Sequence, residues 1–262
     1  MTTPIKTEIG YCTTERIYVR GFDLADELLG EVDFVEMIML VVLGRRASQE
    51  ERNMLNAILV TVTDHGLTPS ALAARLTYLG APEAPQAAVA AGLLGAGSVF
   101  LGAMENATQM LRDFVDENEA RLGSEDELGQ AVRTLFAKQS AAGTAVFGIG
   151  HNIHVHGDPR TPKLKKLAQD NGFYGPHWRA IEAISAASQA ITGRRLPVNA
   201  GGAVGAIVAD MGLPVSMARG LALVGRCAGL LGHILEEKEV PTGKALWNLV
   251  LEQDPRNKTG TQ

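Results

Sequence analysis

From Phe34 to Glu237 the apolar residues recur three and four positions apart almost without interruption, a spacing that only helices packed on one another can bury. Phe34 to Leu43 and Arg52 to Thr63 carry it, with Ser48 and Glu51 spaced as a capping box ahead of the second. Segments 69–79, 84–115, 125–139, 162–170, 176–192, 202–211 and 215–237 continue it. Pro69, Pro162, Pro176 and Pro214 stand near the starts, and Gly44, Gly80, Gly193 and Gly212 follow the ends, as helix punctuation requires. Only residues 4–20, which include IYVR, and the LPV at 196–198 read as extended. The predicted class is all-α.

A chain of 262 residues buries an ample core. Its 46% apolar content includes only 5% aromatics, so Ala, Leu, Val, Ile and Gly do the packing, which suits close helices. A net charge of −5 with no run of five or six like charges leaves no basic surplus for phosphate backbones, so nucleic acid is not expected as a partner. Cys12 and Cys227 are too few and too far apart for a disulfide framework or a cysteine zinc site, and a reducing cytoplasm is expected. The N-terminus lacks the basic and apolar regions of a signal peptide. The apolar run MIMLVVLG at 37–44 is well short of the roughly 20 residues of a membrane span, so no membrane is expected. No repeat or linker is visible. The polar interval 112–130 reads either as a crossing between lobes or as a solvated helix face with a turn at Gly123.

Few residues are candidates for chemistry. His65, in TVTDHGLTPS, ends an apolar helix, where a histidine is either a partner for the helix dipole or a functional group. GIGHNIHVHGDPR, residues 148–160, holds His151, His154 and His156, but no HExxH or nearby cysteine accompanies them, and no metal is expected. Gly148 and Gly150 before His151 let the backbone approach a ligand. Arg160 follows Asp158 and Pro159, and Arg226 sits inside the apolar ALVGRCAGLLGHILEEK, where a guanidinium either pairs structurally or faces a cleft and binds a carboxylate. Two histidines and two arginines on separate helical segments fit a multiply negative organic acid.

With those residues assembled, the chain resembles the citrate synthase superfamily, and within it the citryl-CoA lyases, including the lyase module of ATP-citrate lyase. TVTDHGLTPSALAARLT is similar to the family's Asp-His-Gly segment, GLLGAGSVFLGAMENATQML to its Gly-rich helical entry, and GIGH with DPR to its substrate and CoA segment. LPVNAGGAVGAIVADMGLP is similar to the stretch around its catalytic aspartate, and GRCAGLLGHILEEK to its late arginine helix. The resemblance implies one all-α domain over 1–262, with a small CoA-side lobe of approximately 125–213 inserted in a large lobe. It implies that His65 and His151 meet the hydroxyl and carboxylate region of a citryl-type substrate, that Arg160 and Arg226 take carboxylates, that Gly148, Ile149 and Gly150 run beside CoA, that Asn199 lies near the pantetheine arm, and that Arg194 and Arg195 meet CoA phosphates.

Two departures bear on the reaction. Phe100 stands where the family's synthases have a histidine and its lyases a phenylalanine, which favours a lyase. Gly201 stands where the family's catalytic aspartate follows Asn-Val, so the side chain that moves a proton at the acyl α-carbon is missing. Water, Asp158, Glu105 or Asp210 are the candidate replacements; alternatively the carbanion needs no acid, or the chain is a ligand-binding relative without turnover. The expected activity is cleavage of citryl-CoA or a related β-hydroxyacyl-CoA to an acyl-CoA and an oxo-acid. Coenzyme A enters as part of the substrate and no cofactor is held tightly. A separate ligase or transferase would make the thioester, and a homodimer or higher homo-oligomer is expected.

Overall fold

A computed structural model of the chain describes residues 5–118 and 124–257. Among these, eleven α-helices and one small sheet form two compact units along the chain, residues 1–56 and 57–262. The all-α expectation holds.

The first unit opens with strands β1 (Gly10–Cys12), β2 (Ile17–Val19) and β3 (Phe22–Asp23), antiparallel in the order β1-β2-β3. The register pairs Tyr11 with Tyr18, whose rings stack at 4.8 Å, and the β2–β3 turn places Arg20 and Gly21 at positive φ, as a tight hairpin of matching twist demands. The strands are shorter than the extended segment predicted. Helix α1 (Phe34–Leu43) starts where the Asp33 carboxylate accepts the Glu36 N–H and stops at Gly44 in the left-handed region. The capping box is present: Ser48 N donates to Glu51 Oε2 at 2.8 Å and Glu51 N to Ser48 Oγ at 3.2 Å, opening α2 (Gln49–Val62).

The second unit begins within α2 and holds α3 (Pro69–Gly80), α4 (Pro85–Ala96), α5 (Gly102–Asn118), α6 (Glu125–Ala141), α7 (Arg160–Asp170), α8 (Pro176–Thr192), α9 (Ala200–Asp210), α10 (Ser216–Glu237) and α11 (Thr242–Gln253). Pro69, Pro85 and Pro176 occupy first helical positions, where a missing N–H costs nothing. Helix α9 is the centre: Gly202 to Ala209 are all buried, packed against α5, α7 and α8. Trp178 of α8 is fully enclosed. The end of α2 packs with α4, α5 and α10 through Val62, Ala96, Met104 and Ala222, with Leu101 just before α5.

Two elements differ from the reading of the sequence. The stretch 84–115 is not one helix, because Gly97, at φ 50° and ψ −158°, introduces a turn of π-helix over Gly97–Leu101 that carries Phe100. Helix α11 was not anticipated; Gly243 is its only buried residue, so it lacks the apolar stripe that would mark it. The turn expected at Gly123 lies outside the described residues. Pro85–Asn118, taken through the π turn, and Ser216–Glu237 have the length and hydropathy of a membrane span, and both pack against neighbouring helices of this unit.

Candidate active site

The segment 148–160 is built onto the first turn of α9. Gly148 and Gly202 cross so closely that a Cβ on Gly202 would lie 2.2 Å from the Gly148 carbonyl oxygen, and Gly148 itself sits at φ 86°. Asn199 N donates to Gly148 O at 3.0 Å, Gly150 N to Pro197 O at 2.7 Å, and Ile149 bridges Val198. Asn199 uses both ends of its amide here: Oδ1 accepts the Gly202 N–H as the α9 cap, and Nδ2 donates to Gly150 O at 2.6 Å. At the other end of the segment the buried Asp158 accepts the Ala200 N–H at 2.9 Å. The loop between Gly150 and Asp158 therefore leaves and returns to the same helical turn, the one that contains Gly201.

Three imidazoles converge. His65, just beyond α2, places Nε2 3.2 Å from His154 Nε2, and the His151 ring centroid lies 4.6 Å from that of His154 and 5.7 Å from that of His65. His151 Nδ1 accepts the backbone N–H groups of Ile153 and His154, both at 3.0 Å, so its neutral ring carries the proton on Nε2 and presents a donor. Burial, then the neighbouring His154, holds His151 below the ordinary histidine range. Burial, then Arg160 and His154, does the same to His65. His156, the third histidine of the motif, is exposed. The ring nitrogens of His65, His151 and His154 lie within 4.8 Å of one another, which is metal-ligand spacing. The locked His151 N–H and the positive charge of Arg160 and Arg226 instead suit a bound anion.

The arginines have different employments. Arg160 grips Asp158 through Nε and Nη2, at 2.9 and 2.8 Å, while Nη1 faces Thr61 O at 3.5 Å, the outer limit of a hydrogen bond. Burial works to raise Asp158, but Arg160 and two backbone N–H groups outweigh it and hold the carboxyl far below the usual range. Arg226 is unlike it. Its Nη1 is buried without a hydrogen-bond partner, no carboxylate among the described residues forms an ion pair with it, and burial lowers its pKa, Asp64 partly opposing. A guanidinium left short of acceptors beside a second arginine is a demand for an anion.

A polar chain not anticipated from the sequence supports the His65 turn. Asp64 Oδ2 accepts the Gly66 N–H, and His233 Nε2 lies 2.8 Å from Asp64 Oδ1. Arg75, wholly buried, donates Nε to His233 Nδ1 at 3.1 Å and Nη1 to Glu237 at 2.7 Å, and also pairs with Glu236. Because His233 Nδ1 accepts from Arg75, its Nε2–H must donate to Asp64, which collects that proton donor and the Gly66 N–H. Burial tends to raise Asp64; the Gly66 N–H and His233 prevail and keep it ionised.

Beside this cluster is a cleft of roughly 540 Å³ lined by Phe136, Ile149, Gly150, His151, Arg194 and Arg195, so five of the sequence-selected residues share one wall. Both arginines are exposed. Phe100 is half exposed on the π turn. At Gly201 a Cβ would meet Asn199 Oδ1 at 3.1 Å and Met104 Cγ at 3.8 Å, at an ordinary φ. A side chain there asks Asn199 Oδ1 to give by a few tenths of an ångström, but the backbone conformation does not itself require glycine. Two of the four candidate replacements fail. Asp158 is ionised and fully bonded. Asp210 accepts from Gly175 N, His177 N, Trp178 N and His177 Nδ1, and stands nine residues on, roughly 14 Å along α9. Glu105 lies 2.7 Å from Arg219 Nε as an ion pair.

The family profile described as "Citrate synthase, C-terminal domain" matches residues 26–246. The chain belongs to the citrate synthase family. Its structure superposes on a citryl-CoA lyase from Hydrogenobacter thermophilus with a TM-score of 0.77 at 32% identity, over 89% of this chain and 86% of that one. A Methanosaeta concilii ATP citrate lyase (D541A mutant) in complex with (3S)-citryl-CoA shares the fold at TM-score 0.77 and 22% identity, over 92% of this chain and 40% of that one. Citrate synthase 2 of Bacillus subtilis (strain 168) is 24% identical over 203 residues, 74% of this chain and 49% of that protein. The chain thus spans about half or less of the curated relatives it matches. Within the citrate synthase family its fold is that of the lyase and synthase neighbours, and the motifs that suggested the superfamily lie inside the matched region.

Proposed function

We propose that the protein is a carbon–carbon lyase that cleaves citryl-CoA or a related β-hydroxyacyl-CoA to an acyl-CoA, acetyl-CoA in the simplest case, and an oxo-acid such as oxaloacetate. The observation that carries this reading is the unsatisfied Arg226 beside Arg160, both acting on the His65 imidazole, in a chain 32% identical to a citryl-CoA lyase. Arg226 supplies a carboxylate with the donors its own surroundings leave over, and the free edge of Arg160 adds to it. His65, neutral near pH 7 because its pKa is lowered, accepts the hydroxyl proton as the C–C electron pair passes to the thioester enolate. His151 Nε2–H donates to the same oxygen as it becomes a carbonyl, a role its fixed tautomer favours over that of a second base. CoA runs along the cleft past Ile149 and Gly150, with Arg194 and Arg195 at its phosphates, while the buried Gly148 and the half-buried Asn199 shape the cleft wall from behind rather than lining it. Phe100, where a synthase would carry a histidine, favours cleavage over condensation.

Residues 125–213 would form the CoA-side lobe. A separate ligase or transferase would supply the thioester. A homo-oligomer in the cytoplasm, without a tightly held cofactor, nucleic acid or membrane, completes the proposal. Gly201 favours a second reading, a CoA and polycarboxylate binder without turnover. The two part on mixing purified protein with citryl-CoA and following acetyl-CoA by mass spectrometry: catalytic formation supports the lyase, and tight CoA binding without turnover of any β-hydroxyacyl-CoA supports the binder.

A further inference from the structure

We propose that His154 returns the proton to the acyl-CoA carbanion, receiving it from His65 across their direct contact, and so does the work of the carboxylate that Gly201 lacks; this rests on the lyase reading above. Three observations lead to it. The loop that carries His154 is pinned at Gly150 O by Asn199 and at Asp158 by Ala200, both on the α9 turn that holds Gly201, and His151 Nδ1 binds the His154 N–H to fold the loop back. Two Nε2 atoms 3.2 Å apart attract only when one carries a hydrogen and the other a lone pair, so the contact already shares one proton. The other candidate groups are engaged: His151 Nδ1 by backbone donors with its Nε2–H assigned to the substrate oxygen, Asp158 by Arg160 and Ala200, Glu105 by Arg219, and Asp64 by His233.

The transfers balance. The substrate O–H bond breaks as its proton joins His65 Nδ1, and the C–C pair becomes the enolate. The proton on His65 Nε2 crosses to His154 Nε2. His154 then gives its Nδ1 proton to the α-carbon, forming the C–H bond of the acyl-CoA. Both rings end neutral, no proton is gained or lost, and exchange with water at the partly exposed rings resets their tautomers. Around the pair stand Arg160 on α7, Arg226 on α10, Asp158, and His151 on the same loop. The two arginines make a His65 imidazolium a readier donor than in water, which favours passage of its proton to His154.

The test compares wild type, His154→Gln and His154→Gln with Gly201→Asp, each confirmed folded by circular dichroism. Cleavage of citryl-CoA in D2O is followed by proton NMR of the product methyl group. His154→Gln is expected to slow cleavage about 100-fold or more with KM little changed, and added Gly201→Asp to recover at least about tenfold. An unchanged rate in His154→Gln, or a folded double variant with no recovery, overturns the proposal. Should the double variant fail to fold, rescue of His154→Ala by added imidazole takes its place, and absence of rescue overturns it. A readout independent of turnover uses 15N-histidine NMR: loss of His154 should raise the His65 titration midpoint, because His154 lowers it. An unmoved midpoint removes the contact on which the transfer depends. A wild type inert to every β-hydroxyacyl-CoA, with the midpoint moved as expected, instead overturns the lyase reading.

Discussion

Replacing Arg226 by methionine should make the unliganded protein more stable while disabling it. Arg226 Nη1 is buried with no acceptor, and Arg160 nearby has the same charge. An unsatisfied buried donor costs about 1–3 kcal/mol, more when charged. The rest of this guanidinium is only partly enclosed and reaches water, so the low end, about 1–2 kcal/mol, applies. Methionine preserves the length of the stem and its packing on α10. For a chain of this size each kcal/mol is about 2–4 °C, giving a rise in Tm of roughly 2–8 °C by differential scanning calorimetry. Citrate, or citrate with CoA, should raise the wild-type Tm by mass action and leave the variant's unchanged. Cleavage of citryl-CoA should fall at least about 100-fold, since the buried donor meant for the substrate is gone. A variant less stable than wild type, or one still stabilised by citrate, would refute the reasoning, for it would mean that Arg226 is satisfied within the fold.

Other expectations follow from the same geometry. Gly201→Ala should change stability by less than about 1 kcal/mol, whereas Gly202→Ala, whose Cβ meets Gly148 O at 2.2 Å, should cost more than about 3 kcal/mol or prevent folding; chemical denaturation distinguishes them. Asp158→Asn should cost about 3–5 kcal/mol, because it strands Arg160 and removes a charged acceptor from the Ala200 N–H. The folded-state pKa of Asp158 is depressed, so its contribution is fully present above the unfolded value near 4 and is lost as pH falls below that; the acid limb of a Tm-against-pH curve should be shallower in the variant. The kcat/KM profile should show its acid limb below the ordinary histidine value of about 6.5, since the base form of His65 is required and its pKa is lowered.

What the sequence carried was local. The helical period, the Ser48–Glu51 box and the proline and glycine boundaries depend on neighbours within a few residues, and each is present in the structure. Arg160 with Asp158 is a contact across two residues, and the Gly148 turn shows as a glycine. The π turn at Gly97 was hidden because 84–115 keeps its apolar spacing through the break, and α11 because it buries almost nothing. The partners of the site residues were hidden for a different reason. His154 reaches His65 across 89 positions, and Arg75 reaches His233 across 158, so no pattern in one sequence marks them. His154 consequently has no role that its own sequence neighbourhood reveals. The metal-like spacing of histidines 151, 154 and 156 dissolves in the structure, where His156 turns out to the surface and His65 takes its place.

The most direct test of the central claim is the rate of NADH oxidation when citryl-CoA is added to the protein with malate dehydrogenase, measured side by side for wild type and His65→Ala. The account predicts sustained oxidation by wild type, showing oxaloacetate released over many turnovers, and at least a 100-fold lower rate in the variant. No oxidation by folded, CoA-binding wild type, or equal rates in the two proteins, would contradict it.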